Sequence, residues 1–300
     1  MHVLVAGGNG FIGTNLVEKL VDQDHEVTVL ARNPDAAALP ADVATESGDV
    51  TAYDSIEAAV DGQDVVVNLV ALSPLFKPTG GDEMHDEVHR HGTENLLRAA
   101  EADGVERFVQ MSALGADSDG ATAYIRAKGR AEEHVQESEL DWVIVRPSVV
   151  FGEGGEFVSF TKKLKGMFAP GVPVYPLPGG GKTRFQPIHV DDLVEMLADT
   201  VSDDAHVGET YELGGPEQLT LREITNMVYD AAGKSVSIVS VPMPLAGIGL
   251  TLGGKLPGFP MGADQYRSLR FDNTTDDNDI EAFDRTTADL TSLRSYLGVA

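Results

Sequence analysis

The chain has 300 residues, 48 of them acidic and 22 basic, which gives a net charge of −26. A field of that sign repels nucleic acid and anionic membrane surfaces. The absence of cysteine excludes a disulfide framework and thiolate chemistry. Hydrophobic residues make up 42%, ample for a buried core, and the length suits one large domain or two small ones. Sparse lysine and acids in surface-like positions, such as Asp276, Asp277, Asp279 and Glu281, are what a protein adapted to molar salt carries. A halophilic, cytoplasmic protein is therefore expected; full stability after dialysis into dilute buffer would overturn the halophilic reading. Met1 leads straight into an apolar run with no charged n-region, so no signal peptide is predicted. The longest apolar stretch, 244–252, is too short to span a bilayer.

Residues 2–6 read as a strand and 11–21 as an amphipathic helix, with glycines at 7, 10 and 13 between and just inside them. Each glycine has a physical reason. Gly7 lets the chain turn out of the strand, Gly10 lets the backbone approach a pyrophosphate, and Gly13 lets the helix pack close. The helix N-terminus then offers N–H groups and a positive dipole end, to which Phe11 and Ile12 belong. Further strands are predicted at 27–30, 43–47, 64–69, 107–111 and 142–145, with helices at 55–60, 84–102 and 121–137. That alternation predicts an α/β fold with a doubly wound parallel sheet. Ligands on such a sheet sit at the carboxyl ends of its strands, where Gly7, Arg32, Asp49, Asn68, Ser112 and Pro147 fall.

After Phe151 the pattern becomes less regular. A helix is predicted at 157–165, another at 190–200, and a strand at 210–213 that returns to the first sheet. Thr220 to Glu223 is a capping box opening a helix to 231. A strand at 236–241, an apolar glycine-bearing run at 244–260, an acidic stretch at 272–281 read as mobile, and a helix at 291–297 complete the chain. The expected organisation is a nucleotide-binding domain over 1–151 to which 186–215 returns. A smaller substrate lobe takes 152–185 and 216–300.

Tyr124 and Lys128 stand four apart on a predicted helix and share a face. An ammonium beside a phenol favours the phenolate and lowers its pKa from near 10, toward proton exchange at neutral pH. Ser112, at the tip of the preceding strand, is placed to hold a carbonyl oxygen.

With these residues the chain resembles an extended or atypical short-chain dehydrogenase/reductase, a Rossmann-type family. Within that family it is similar to the subgroup related to the 39-kDa NAD(P)H-binding subunit of respiratory complex I. The resemblance runs through the Gly7-x-x-Gly10-x-x-Gly13 turn, Gly48-Asp49-Val50, Asn68-Leu69-Val70-Ala71, Ser112, Tyr124, Lys128, Arg146-Pro147-Ser148, and the 186–192 segment. It implies that Ser112, Tyr124 and Lys128 are catalytic. It implies that Gly7, Gly10, Phe11, Ile12, Gly13, Arg32, Asp49, Val50, Leu69, Val70, Ala71, Lys128 and Pro147 line a dinucleotide, with Asp49 on the adenine and Arg146–Ser148 at the nicotinamide end. The chain departs from the family at His89, where an asparagine is usual, and at Leu30-Ala31-Arg32, where NAD-using members carry an acid. Arg32 would pair with a 2′-phosphate, so NADP(H) is expected over NAD(H). Stacking of Arg32 on adenine instead would accommodate either.

The implied function is hydride transfer to or from a carbonyl or alcohol of a small-molecule substrate. The alternatives are a nucleotide-sugar epimerase or dehydratase, and a non-catalytic dinucleotide-binding component associated with a respiratory complex or acting as a sensor. No metal is expected: His85, His89 and His91 are read as structural residues amid solvated acids. Asp191 and Asp192 are read as helix-cap and dipole partners. Lys162, Lys163 and Lys165 are read as a solvated helix face. The 244–260 run is read as core of the smaller lobe, with a lipophilic pocket or a peripheral membrane contact as alternatives. A monomer or homodimer is expected; this family often dimerises through the helices predicted at 84–102 and 121–137.

Overall fold

The computed structural model describes residues 1–36, 39–169, 171–172, 174–256 and 259–299, apart from the side chains of 167 and 168. The chain forms two compact units, one of residues 1–72, 80–147 and 190–212, the other of 73–79, 148–189 and 213–300.

The first unit contains β1 (His2–Ala6), α1 (Phe11–Asp22), β2 (Glu26–Ala31), β3 (Ala44–Ser47), α2 (Glu57–Val60), β4 (Val65–Asn68), α3 (Glu83–His85), α4 (Gly92–Asp103), β5 (Arg107–Met111), α5 (Ala123–Glu137) and β6 (Asp141–Pro147). The second unit begins with β7 (Val150–Phe151), α6 (Glu156–Phe168), β8 (Val174–Pro178), β9 (Arg184–Phe185) and β10 (Ile188–His189). The chain then returns to the first unit through α7 (Val190–Ser202) and β11 (Thr210–Leu213). It finishes in the second with β12 (Leu219–Thr220), α8 (Leu221–Asp230), β13 (Ser237–Val241), α9 (Met243–Gly253), α10 (Ala263–Ser268) and α11 (Leu293–Leu297).

Seven strands make the main sheet in the order β11-β6-β5-β4-β1-β2-β3, so the expected α/β doubly wound sheet is present. Strands β1 to β6 pair in parallel, with Val3 to Ala6 in register with Val65 to Asn68. Val3, Leu4, Val5 and Ala6, and Val65, Val66 and Val67, are all fully buried. Burial on both faces explains why these strands read as continuous valine-rich runs rather than as an alternation. Strand order reverses between β1 and β4, which puts Gly7 and Leu69 side by side at the crevice where such sheets take ligands.

Three sequence expectations change. The helix predicted at 84–102 is not uniformly α: residues Asp86–His91 form a π-helical turn between α3 and α4. Such turns insert a residue and re-aim the side chains on one face. The 272–281 stretch is held down within the second unit. Asp272 accepts from Arg184, Asn273 from Ser148 and the Val149 N–H, and Asn278 bridges to Gly214. The 244–260 run contains a helix, α9, that was not predicted from its glycines. The capping box at Thr220 and Glu223 and the placing of Asp191 and Asp192 in the first turn of α7 match the sequence reading.

Candidate active site

Gly7 has φ +82°, and a Cβ there would meet the Leu69 carbonyl carbon and the Val70 nitrogen at 3.1 Å. A side chain on Gly13 would press into the turn itself, 2.6 Å from Gly8 Cα. The first glycine is thus required by the turn and the third by the approach of α1 to β1. Gly10 caps α1 without a side-chain bond, and a Cβ there would meet only the Gly7 oxygen within 4 Å. The N–H groups of Phe11, Ile12 and Gly13 take no carbonyl partner among the described residues. A helix start left open in this way suits an anion, so the residues present fit a dinucleotide pyrophosphate.

Around this turn, Arg32 is exposed just past β2, with no carboxylate partner among the described residues. Its carbonyl accepts from Ser47 Oγ at 3.1 Å, and Asn9 ties to the Asn33 carbonyl at 3.2 Å. Asp49 Oδ1 is engaged by the Thr51 N–H and hydroxyl at 3.0 and 2.8 Å. Val50 is buried against Gly92. At the end of β4, Asn68 donates to Thr93 and Gln110 and accepts from the Val70 N–H at 3.1 Å, fixing the Leu69-Val70-Ala71 turn from below.

At the same carboxyl edge of the sheet, beyond β4, the Ser112 N–H donates to Val145 at 2.7 Å and the Leu114 N–H to Pro147 at 3.1 Å, which pins the tips of β5 and β6 together. Ser112 Oγ is buried with no hydrogen-bond partner. An orphaned buried hydroxyl is rare and costs on the order of 1–3 kcal/mol unless something arrives to satisfy it. Lys128 is buried on α5, its Nζ donating to the Met111 carbonyl at 2.7 Å, immediately before Ser112. Thr122 caps α5 by accepting from the Ile125 N–H, and this cap sets Tyr124 in the first turn. No hydrogen bond joins Tyr124 to Ser112 or Lys128.

The neighbours of Tyr124 are instead His85 and His89. Their rings stack with centroids 5.6 Å apart, and both meet the tyrosine ring edge-on, at 5.6 and 5.3 Å. Both histidines are buried, one at the end of α3 and one on the π-helical turn, while Glu83 and Glu87 beside them are exposed. His89 Nε2 accepts from the Leu72 N–H at 3.3 Å, which leaves the proton on Nδ1. Burial, then the Lys128 charge, then His85, push His89 well below the usual imidazole range, so it is neutral. No group of three or more His, Asp or Glu side chains among the described residues could hold a metal ion.

The electrostatics differ from the simple reading of a Tyr-x-x-x-Lys pair. Burial pushes the Tyr124 phenol up from 10, and no charge offsets it. Burial also pushes the Lys128 ammonium down to about 8, against an upward pull from Glu132. Glu132 is itself buried, on the same face of α5 one turn beyond Lys128, and its two oxygens accept from Arg146 at 2.9 and 2.5 Å. Arg146 also approaches Glu212 at 3.6 Å. Its guanidinium is therefore committed to carboxylates. Pairing of Arg146 with Glu132 across 14 residues had no local signal in the sequence.

A pH dependence follows. The folded lysine titrates near about 8 and the unfolded one near 10.5, so the unfolded chain binds more protons between those values. This group therefore costs its full stability penalty below about pH 8, and the penalty fades as pH rises toward 10.5. Should the Lys128 ammonium hold the dinucleotide, as the family resemblance implies, NADH affinity of the nucleotide-free protein would be flat below about pH 8 and fall above it as the ammonium is lost. A titration by fluorescence or calorimetry should show this bend in the wild type and none in Lys128→Met.

The strand order and the open glycine turn define a dinucleotide-binding protein. The NAD(P)H-binding family profile matches residues 7–167, more than half of the chain, and the chain belongs to that family. It is 30% identical over 250 residues to the NADH dehydrogenase [ubiquinone] 1 alpha subcomplex subunit 9 of Arabidopsis thaliana, covering 81% of this chain and 60% of that protein. This chain thus spans less than two thirds of that relative's length. It is also 30% identical over 266 residues to a 3 beta-hydroxysteroid dehydrogenase/Delta 5→4-isomerase of Mycobacterium tuberculosis, covering 78% of this chain and 70% of that one. Among solved structures, UDP-glucose 4-epimerase of Thermus thermophilus in complex with NAD matches with a TM-score of 0.68 at 24% identity, over 90% of this chain and 99% of that one. The protein is an NAD(P)-binding member of the short-chain dehydrogenase/reductase family.

Proposed function

We propose that this chain is an NADP(H)-dependent oxidoreductase that moves hydride between nicotinamide and a carbonyl or alcohol carbon. The observation that carries the reading is the buried, unpartnered Ser112 Oγ one residue past the carbonyl that anchors the buried Lys128 ammonium. The bound nicotinamide supplies the hydride. Ser112 donates a hydrogen bond to the substrate carbonyl oxygen. Tyr124, kept protonated by its burial, gives that oxygen its proton. Lys128, held by Met111 and favoured in its charged form by Glu132, stabilises the phenolate left behind. A proton donor in its protonated resting form suits reduction of a carbonyl. Consumption of NADPH against a panel of aldehydes and ketones, in wild type and Tyr124→Phe, tests the assignment.

The exposed Arg32 supports the 2′-phosphate preference. Arg32→Ser is expected to weaken NADPH binding about 10- to 100-fold, the worth of a charge-assisted hydrogen bond, with NADH binding within about twofold. Equal NADPH and NADH dissociation constants in the wild type would remove the preference.

One observation favours a second reading. The similarity to a NADH dehydrogenase subunit supports a dinucleotide held as a structural part, without turnover. In that case no carbonyl in the panel is reduced, and nucleotide removal lowers the melting temperature without costing any activity. The likeness to a solved epimerase rests on the fold alone and does not favour epimerisation.

A further inference from the structure

The second unit carries a segment unlike the rest of the chain. Residues 231–263 contain no aspartate or glutamate, although a stretch of that length would hold about five at the chain's average. Its central element, α9, has two apolar faces. Ala246, Gly247 and Leu250 are buried, with Leu250 packed among Leu164, Tyr175, Leu177, Leu221 and Met261. The opposite face presents Leu245, Ile248 and Leu252, exposed by 61, 58 and 59%, and Leu256 follows at 63%. At 100° per residue the three helical side chains fall within about 60° of arc, so they form one stripe. The core reading of this run therefore accounts for only one of its faces.

Two lysines lie at the carboxyl end of this helix, and a third lies beside the segment that carries one of them. Lys77 Nζ donates to the Gly254 carbonyl at 3.1 Å, Lys255 follows the helix and is exposed, and Lys163 lies 5.8 Å over the ring of Phe76, the neighbour of Lys77. An apolar stripe without carboxylates and with lysines at its margin has the composition of a helix that lies in the headgroup region of an anionic bilayer. Leu245, Ile248, Leu252 and Leu256 are four residues, against about 20–30 a side in a standard protein interface. No described helix is long and apolar enough to cross a membrane, so the contact would be parallel to the surface.

We propose that the Leu245, Ile248 and Leu252 face of α9 docks on an anionic lipid surface, with Lys77, Lys163 and Lys255 on the headgroups. The net charge of −26 repels such a surface for the chain as a whole, so docking depends on this face, where carboxylates are absent from 231–263. Strong salt screens that repulsion over a few ångström and strengthens the apolar contact.

Flotation of the full chain with phosphatidylglycerol vesicles tests the proposal, first in about 2 M KCl and then at lower salt while circular dichroism still reports the folded state. The chain should float with these vesicles. Its preference over phosphatidylcholine vesicles should grow as salt falls. A Leu245→Asp, Ile248→Asp, Leu252→Asp triple variant should lose partitioning at least tenfold, with melting temperature and NADPH affinity unchanged. Three results would each overturn it: no flotation, equal flotation of the triple variant, or a dimer in light scattering that the same variant abolishes.

Discussion

Tyr124→Phe is expected to lower turnover by about 10²- to 10⁴-fold, the usual worth of a positioned general acid, while NADPH affinity stays within about threefold. The geometry separates the two effects. The phenyl ring still meets His85 and His89 edge-on, so the packing around the first turn of α5 survives loss of the hydroxyl. The lysine remains tied to Met111, and the glycine turn after β1 is untouched. What disappears is the hydroxyl proposed to deliver a proton to the substrate oxygen. Stopped-flow single turnover with saturating NADPH reads the chemical step directly, and calorimetry reads the affinity. Normal turnover in the variant would take the acid role away from Tyr124. Absence of turnover in both proteins would point to the structural-cofactor reading instead.

Arg146→Met is expected to destabilise the protein by roughly 2–4 kcal/mol, somewhat less than the 3–5 kcal/mol seen when a fully buried pair is broken. Glu132 is buried, and Arg146 supplies both of its charge-assisted hydrogen bonds. The discount applies because the arginine side chain is 24% exposed, so water reaches part of the site. Loss of the guanidinium strands a carboxylate beneath the sheet, beside the lysine it helps to keep charged. Urea unfolding measures the loss as a lower midpoint at unchanged slope. The double variant Arg146→Met, Glu132→Leu should recover most of that stability, since a buried pair replaced by apolar groups of similar volume is often neutral. It should also move the pH break in NADH affinity below about 8, because the upward pull of Glu132 on Lys128 is gone. Full stability in the single variant would mean that the pair is already well solvated.

What the amino-acid order determined is everything governed by near neighbours. The valine runs of β1 and β4, the glycines at 7, 10 and 13, the Thr220 cap and the strand at 210–213 follow from periodicity, backbone freedom and short-range hydrogen bonding. These define the sheet and the turn at its crevice. Only the tertiary structure decided the balance of forces at the site. The sequence places Lys128 beside Tyr124, but whether charge or desolvation wins depends on how deeply both lie, and burial wins for each. The same limit hid the contact of His85 and His89 with Tyr124, which α3 and the π-helical turn after it bring about. It also hid the hold of Arg146 on Glu132 and the exposed stripe of α9. A partner 14 residues away on another element, or the choice of which face of an all-apolar helix meets the core, is set by packing in three dimensions and leaves no periodic trace in the chain.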